Sequence, residues 1–293
     1  STQREDLSFS WGGAMRFQQS WGKPGYGDSL FSLAGGIATD TDGNIYAADT
    51  YNHGIQKFDA TGRFIARWGK RGPRSKWWDR GTYGKFSYPQ WVATDKDNNV
   101  YVTESPLHRI QKFDSSGNLR ATWGSYGKGD GQFHTPQGIA TDSKGNVYVV
   151  DSRNNRVQKF SPNGELLVKF ECSNTGVGSL KGPSGVAVDS DGDVYVTDWG
   201  NHRVQIYAAD GHYITELVGD AQELSPWAQA YIDANPDIIK ARRRADLEPE
   251  WRFRRPVAVN VDADDRIIIL ESHRHRLQIY NKLKDYEEHS LNL

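Results

Sequence analysis

The chain has 293 residues, a net charge of -1, a 12% share of aromatic side chains and a single cysteine, Cys172. A lone cysteine excludes an intramolecular disulfide and with it the disulfide-stapled secreted class. The near-neutral balance excludes a global basic field for nucleic acid, and no apolar run approaches the ~20 residues that span a bilayer. A chain of this length buries roughly three-quarters of its unfolded surface, so folding calls for neither metal nor disulfide. With no signal peptide or disulfide visible, the expectation is a soluble, cytoplasmic protein; a leader removed ahead of Ser1 would change the compartment.

In chain order, the first recognisable element is Met15-Arg-Phe-Gln-Gln-Ser-Trp-Gly22, which repeats two later strands, Arg63-Phe-Ile-Ala-Arg-Trp-Gly69 and Asn118-Leu-Arg-Ala-Thr-Trp-Gly124. Five self-similar segments follow: Gly35 to Gly69, Pro89 to Gly124, Pro136 to Phe170, Pro183 to Gly219, and Pro256 to Tyr286. Each reads as four short strands, shown well by Gly138-Ile-Ala-Thr-Asp142, Asn146-Val-Tyr-Val-Val-Asp151, Arg156-Val-Gln-Lys-Phe160 and Glu165 to Phe170. Tight turns are marked by Asp42-Gly43, Lys144-Gly145 and Asp191-Gly192 between the first two strands, and by Asn163-Gly164 and Asp210-Gly211 between the last two. Such turns need positive φ, which Gly, Asn and Asp tolerate best. Proline opens four of the five segments, where a first strand residue has no ladder donor to lose.

Four-stranded meanders at regular spacing predict an all-β propeller, five blades counted and six if a degenerate blade hides in residues 1–34 or 215–254. The last segment ends soon after its third strand, so the N-terminal strand is expected to complete it and close the ring, hiding sheet edges. Two insertions interrupt the period. Residues 70–88 carry Trp77, Trp78 and Tyr83, and residues 220–254 read as a helical insertion opened by Ser225-Pro226 and Asn235-Pro236. The whole chain, 1–293, is expected to be one domain.

The loops Asp49-Thr-Tyr-Asn-His-Gly-Ile-Gln, Asp198-Trp-Gly-Asn-His-Arg-Val-Gln and Arg274-His-Arg-Leu-Gln resemble the NHL repeat, and the likeness covers about four-fifths of the chain. The resemblance implies the propeller fold and leaves function open, since such repeats occur in peptidyl-hydroxyglycine amidating lyases, RNA-binding ubiquitin-ligase propellers, bacterial sensor domains and free-standing propellers. The lyases hold zinc in the central channel with histidines at the start of inner strands. Here the matching positions are Gly35, Gln90, Gln137, Ser184 and Val257. None is histidine, so the zinc site does not carry over. No cofactor is expected, although a divalent metal in the central channel stays open.

The carboxylates Asp49, Glu104, Asp151, Asp198 and Glu271 recur with Arg109, Arg156, Arg203 and Arg276. A ring of acids suggests a cation; a pair repeated in every blade points more strongly to loops pinned by ion pairs. His53, His108, His202 and His275 recur likewise and read as loop packing, whereas His273 departs from the repeat. Positions at the start of the inner strands face the channel mouth. There Tyr51, Gln90, Trp91, Gln137, Ser184, Trp199, Arg254, Arg255 and His273 are predicted to form a polar and aromatic rim suited to a small ligand, a peptide or a protein; plugging the channel is the equal alternative. No catalytic residue is assigned, because no nucleophile–base pair is evident. The functional expectation is therefore a binding module working through the mouth and the inserted loops. An enzyme of lyase or hydrolase type at the same mouth is the alternative. RNA binding on the basic run Lys240, Arg242, Arg243, Arg244, Arg252, Arg254 and Arg255 is the weaker one.

Overall fold

A computed structural model describes residues 22–69, 84–170, 178–219, 233–235, 252–274 and 276–282. Within them the chain forms a five-bladed all-β propeller. Blade one comprises Ala34–Thr39, Ile45–Asp49, Gly54–Phe58 and Phe64–Trp68. Blade two comprises Pro89–Thr94, Val100–Glu104, Arg109–Phe113 and Leu119–Trp123, and blade three Pro136–Thr141, Val147–Asp151, Arg156–Phe160 and Leu166–Phe170. Blade four runs Val186–Val188, Val194–Asp198, Arg203–Tyr207 and Tyr213–Leu217. Blade five contributes Pro256–Val261, Arg266–Glu271 and Arg276–Asn281. The sheet of every blade is an antiparallel meander in sequence order, and a short parallel pair, Lys23–Pro24 with Leu30–Phe31, precedes blade one. No helix among the described residues is long and apolar enough to cross a membrane.

The alternation of the second strands explains the packing between blades. Successive side chains point to opposite faces of a strand, so Tyr46 and Ala48 of blade one face Val92, Val100 and Val102 of blade two. Tyr101 and Ile110 of blade two then face Ile139, Val147 and Val149 of blade three. Both faces of a middle blade are thereby buried, which is why its second strand reads as a continuous apolar run. The turns behave as their residues demand: Gly145 takes φ +80°, and where glycine is missing, Asn98 and Asp265 take the same conformation at φ 61° and 56°.

The two end blades differ from the middle ones. Ile37 of blade one is 67% exposed, while Val92, at the matching position of blade two, is 4% exposed. Leu277 of blade five is 60% exposed against 0% for the matching Ile110. The strand expected to close the ring lies outside the described residues except for its last residue, Gly22. That residue is built like its counterparts: Gly22 and Gly124 share a positive φ of 95° and 100°, and each abuts an aromatic ring, Phe31 or Phe133, with no space for a Cβ. The insertion at 70–88 lies outside the described residues apart from 84–88, as does the helical insertion at 220–254 apart from 233–235 and 252–254.

Candidate functional site

The loop after the second strand is a 3-10 turn in blades one to four, at Thr50–Asn52, Ser105–Leu107, Ser152–Asn154 and Trp199–Asn201. The carboxylate that ends the second strand is wholly buried in all five blades. In blade three, Asp151 accepts from the backbone N–H of His134 at 2.6 Å, from Asn154 Nδ2 at 2.8 Å and from Arg156 Nε at 2.9 Å. Blade four repeats the pattern at Asp198 with Lys181, Asn201, Arg203 and Gln205. Burial pushes the Glu104 carboxyl up despite the opposing pull of Arg109. These acids fasten the loop that enters each blade, so the recurring acid–arginine pair is a structural device.

The loop histidines have an equally specific task. His53, His108, Asn155 and His202 cap the 3-10 turns in the left-handed conformation. Each then accepts a hydrogen bond from the residue that opens the next blade: Tyr88 N–H to His53 Nδ1 at 3.2 Å, Thr135 N–H to His108 Nδ1 at 3.2 Å, and Arg255 N–H to His202 Nδ1 at 3.1 Å. Asn155 does the same through Oδ1 to Gly182 N–H at 2.8 Å. Because a backbone amide only donates, Nδ1 must carry its lone pair and the proton sits on Nε2. That tautomer leaves no free lone pair for a metal. His275 lies outside the described residues, and those residues contain no cluster of three or more potential metal ligands.

A cavity of about 610 Å³ lies between blades two to five. Blade two supplies Trp91. Thr135, Gln137, Ser152, Arg153 and Asn155 come from the blade three side. Gly182, Ser184 and Trp199 line the blade four side, and Val257 the blade five side. Four predicted rim residues thus share one cavity: Trp91, Gln137, Ser184 and Trp199. Arg255 joins them by stacking on Trp199, its guanidinium carbon 4.3 Å from the ring centroid. His273 follows, with Nε2 3.0 Å from Arg255 Nη1.

Other predicted positions do different work. Gln90 is turned away to accept from Ser105 Oγ at 2.6 Å. Ser184 lines the cavity yet spends its hydroxyl on Thr197 Oγ1 and the carbonyl of Val257, both at 2.9 Å. Tyr51 stands 50% exposed against Tyr88, at a centroid distance of 5.5 Å, on the blade one side and off the cavity. Arg254 is exposed and gives its backbone N–H to Glu271. By contrast, Gln137 and the guanidinium of Arg153 have no hydrogen-bond partner among the described residues. Arg153, Asn155 and Thr135 are lining residues not foreseen from sequence; the signal for Arg153 was that Tyr51, Pro106 and Gly200 hold its position in the other loops.

Two substitutions against the repeat build this cavity. The third position of the inner strand is Gly36, Gly138 and Gly185 in blades one, three and four, because a Cβ on Gly138 would meet the carbonyl oxygen of Ser184 at 2.6 Å. Blade two has Trp91 there. The residue after the buried carboxylate is Thr50, Ser105 or Ser152 elsewhere and Trp199 in blade four. Glycine also replaces side chains beneath the second indole: Gly182 stands where Tyr88, Thr135 and Arg255 stand in other blades, and the Trp199 ring lies 4.0 Å from where its Cβ would be.

Comparison with known proteins agrees with the repeat. The NHL repeat profile matches residues 31–58, 133–160 and 180–207, falling on blades one, three and four. Three of the five blades thus match the NHL repeat. Brain tumor protein of Drosophila melanogaster is 32% identical over 113 residues, covering 38% of this chain and 10% of that protein. The probable peptidyl-alpha-hydroxyglycine alpha-amidating lyase of Caenorhabditis elegans is 29% identical over 98 residues, 33% of this chain and 27% of that protein. The chain thus spans a tenth to about a quarter of the length of these relatives. Among solved structures, virginiamycin B lyase from Staphylococcus aureus has a TM-score of 0.53 at 14% identity, covering 84% of this chain and 69% of its own. A gluconolactonase from Xanthomonas campestris has a TM-score of 0.55 at 14% identity, covering 86% and 72%. At such identities the likeness shows the fold.

Proposed function

We propose that this NHL propeller is a ligand-binding module whose site is the cavity between Trp91 and Trp199. The observation that carries this reading is that both tryptophans break the repeat and both line the same cavity. In a repeat protein, positions needed by the fold recur in every blade. A costly departure that recurs nowhere, placed twice on one concave surface, is therefore free to serve recognition. The volume falls within the range of small-molecule sites, and a few unpaired polar groups between aromatic walls are what orientation of a ligand requires.

The enzymatic alternative, a lyase or hydrolase at the same mouth, draws on the activities named for the C. elegans relative and the solved neighbours. Binding is favoured because Thr135, Ser152 and Ser184, the hydroxyls that line the cavity, make no hydrogen bond to a histidine or carboxylate side chain among the described residues that could activate them. A role in protein recognition fits the exposed aromatics Tyr26, Tyr51 and Tyr126 on the loops. The segment Lys240 to Arg244, on which the RNA reading rests, lies outside the described residues.

The test is a thermal-shift screen of metabolites and short peptides against the native chain, Trp199→Ser and Trp91→Gly, which restore the repeat residues. Ligands that stabilise the native chain and lose that effect in both variants support the site. Ligands unaffected by either change place recognition elsewhere.

A further inference from the structure

The charge balance of this cavity narrows the class of ligand, on the reading that the mouth is a binding site. Among the described residues, no carboxylate lines it. The nearest acids, Asp151, Asp198 and Glu271, are wholly buried, and their oxygens are engaged by arginine, glutamine and backbone donors. Their charge is already compensated within the fold. What faces the space is a pair of unspent donors, the Arg153 guanidinium and the Gln137 amide; beside it, on the Trp199 ring, are the N–H groups of Arg255 that remain after one contact to His273. Arg255 is held in place at the rim by its stacking on Trp199. A guanidinium fork fixed on an aromatic face is suited to a planar oxyanion, which it meets with paired hydrogen bonds. The indoles beside it offer flat apolar surface, and Gly182 leaves the space beside Trp199 clear of a side chain.

We propose that the cavity takes a ring-bearing oxyanion of small-molecule size, with its ring against Trp91 and Trp199 and its anionic group on Arg153 and Arg255. The shared chemistry is an aryl carboxylate or an aryl phosphate. A cavity of about 610 Å³ matches one such molecule, and the overall charge of -1 argues against a polyanion held by a broad basic field.

The experiment measures binding of benzoate, phenyl phosphate and neutral benzamide to the full chain by titration calorimetry and ligand-observed NMR. Fragments of this size are expected to bind with Kd on the order of 0.1–1 mM. The two anions should bind at least about tenfold more tightly than benzamide, and Arg153→Ala should remove that preference. Arg153→Lys should restore part of it. Since Arg153 is exposed and its guanidinium is unpaired, neither variant should change the melting temperature. Whichever anion binds more tightly names the headgroup. Benzamide binding as well as the anions, with Trp199→Ser abolishing all three, would leave the mouth as a site and overturn the oxyanion. Failure of every probe would overturn both. Tighter, steeply salt-dependent capture of a single-stranded oligonucleotide would overturn the small-molecule class.

Discussion

Replacing Asp151 by alanine isolates the device that sets the mouth loops. Its side chain is completely buried beside Arg156, whose side chain is 5% exposed, and it also holds the N–H of His134, the residue that leads into Thr135 and Gln137. Removing one partner of a buried pair strands the other charge in a poor solvent, at a cost of about 3–5 kcal/mol. For a chain of this size each kcal/mol lowers Tm by roughly 2 °C, so the expected fall is roughly 6–10 °C. The double variant Asp151→Leu with Arg156→Met removes both charges and fills the space, so it should recover most of the loss. A surface comparator is Lys169→Ala, which breaks a pair with Asp130 at 36% and 68% exposure and should cost less than about 1 kcal/mol. Urea denaturation and far-UV circular dichroism melts give both quantities. An Asp151→Ala loss no larger than that of Lys169→Ala, or a double variant as unstable as the single one, would refute the argument.

Burial, reinforced by neighbouring His134, pulls the His108 imidazole below its ordinary range. The neutral ring is the native one, so its contribution is present above pH about 6.5 and is lost as pH falls through the depressed value. Melts of His108→Asn, which imports the acceptor that Asn155 supplies in blade three, should lack that acid-side loss, whereas His108→Ala should be destabilised at every pH. Gly138→Ala should cost about 1–3 kcal/mol in urea titrations, because its Cβ would meet Ser184 backbone at 2.6 Å and no flexible atom can yield. Lys282 bridges from the end of blade five to Asp189, Asp191 and Asp193 of blade four at 2.7, 2.7 and 2.9 Å. Burial pulls its ammonium down, but the three carboxylates hold it well above the ordinary lysine range. Lys282→Met should therefore destabilise by roughly 1–3 kcal/mol, more at low salt than at high.

Much of the fold was legible in the chain itself. Alternation in Asn146-Val-Tyr-Val-Val-Asp151, glycine at the turns and proline at the strand openings are local constraints, and a repeat states them several times over. The acid–arginine pair was legible for the same reason. Spacing placed Asp151 and Arg156 at the facing ends of adjacent strands, and the register pairs them directly. Residue type alone could not separate those rim positions that stay open to the cavity from those that brace. Gln90 and Gln137 occupy equivalent places in blades two and three. Gln90 meets the Ser105 hydroxyl and is absorbed into the fold, while Gln137 meets open space.

The sequence by itself determined the blades, their turns, the buried ion pairs and the two tryptophans that depart from the repeat, because each is fixed by local pattern or by recurrence. Only the tertiary structure decided that Trp91 and Trp199, more than a hundred residues apart, line one cavity, that Arg153 and Arg255 edge it, and that Tyr51 does not. Those facts depend on how far each blade is turned about the axis and on which neighbour satisfies each polar group first, and neither quantity is written in any single segment of the chain.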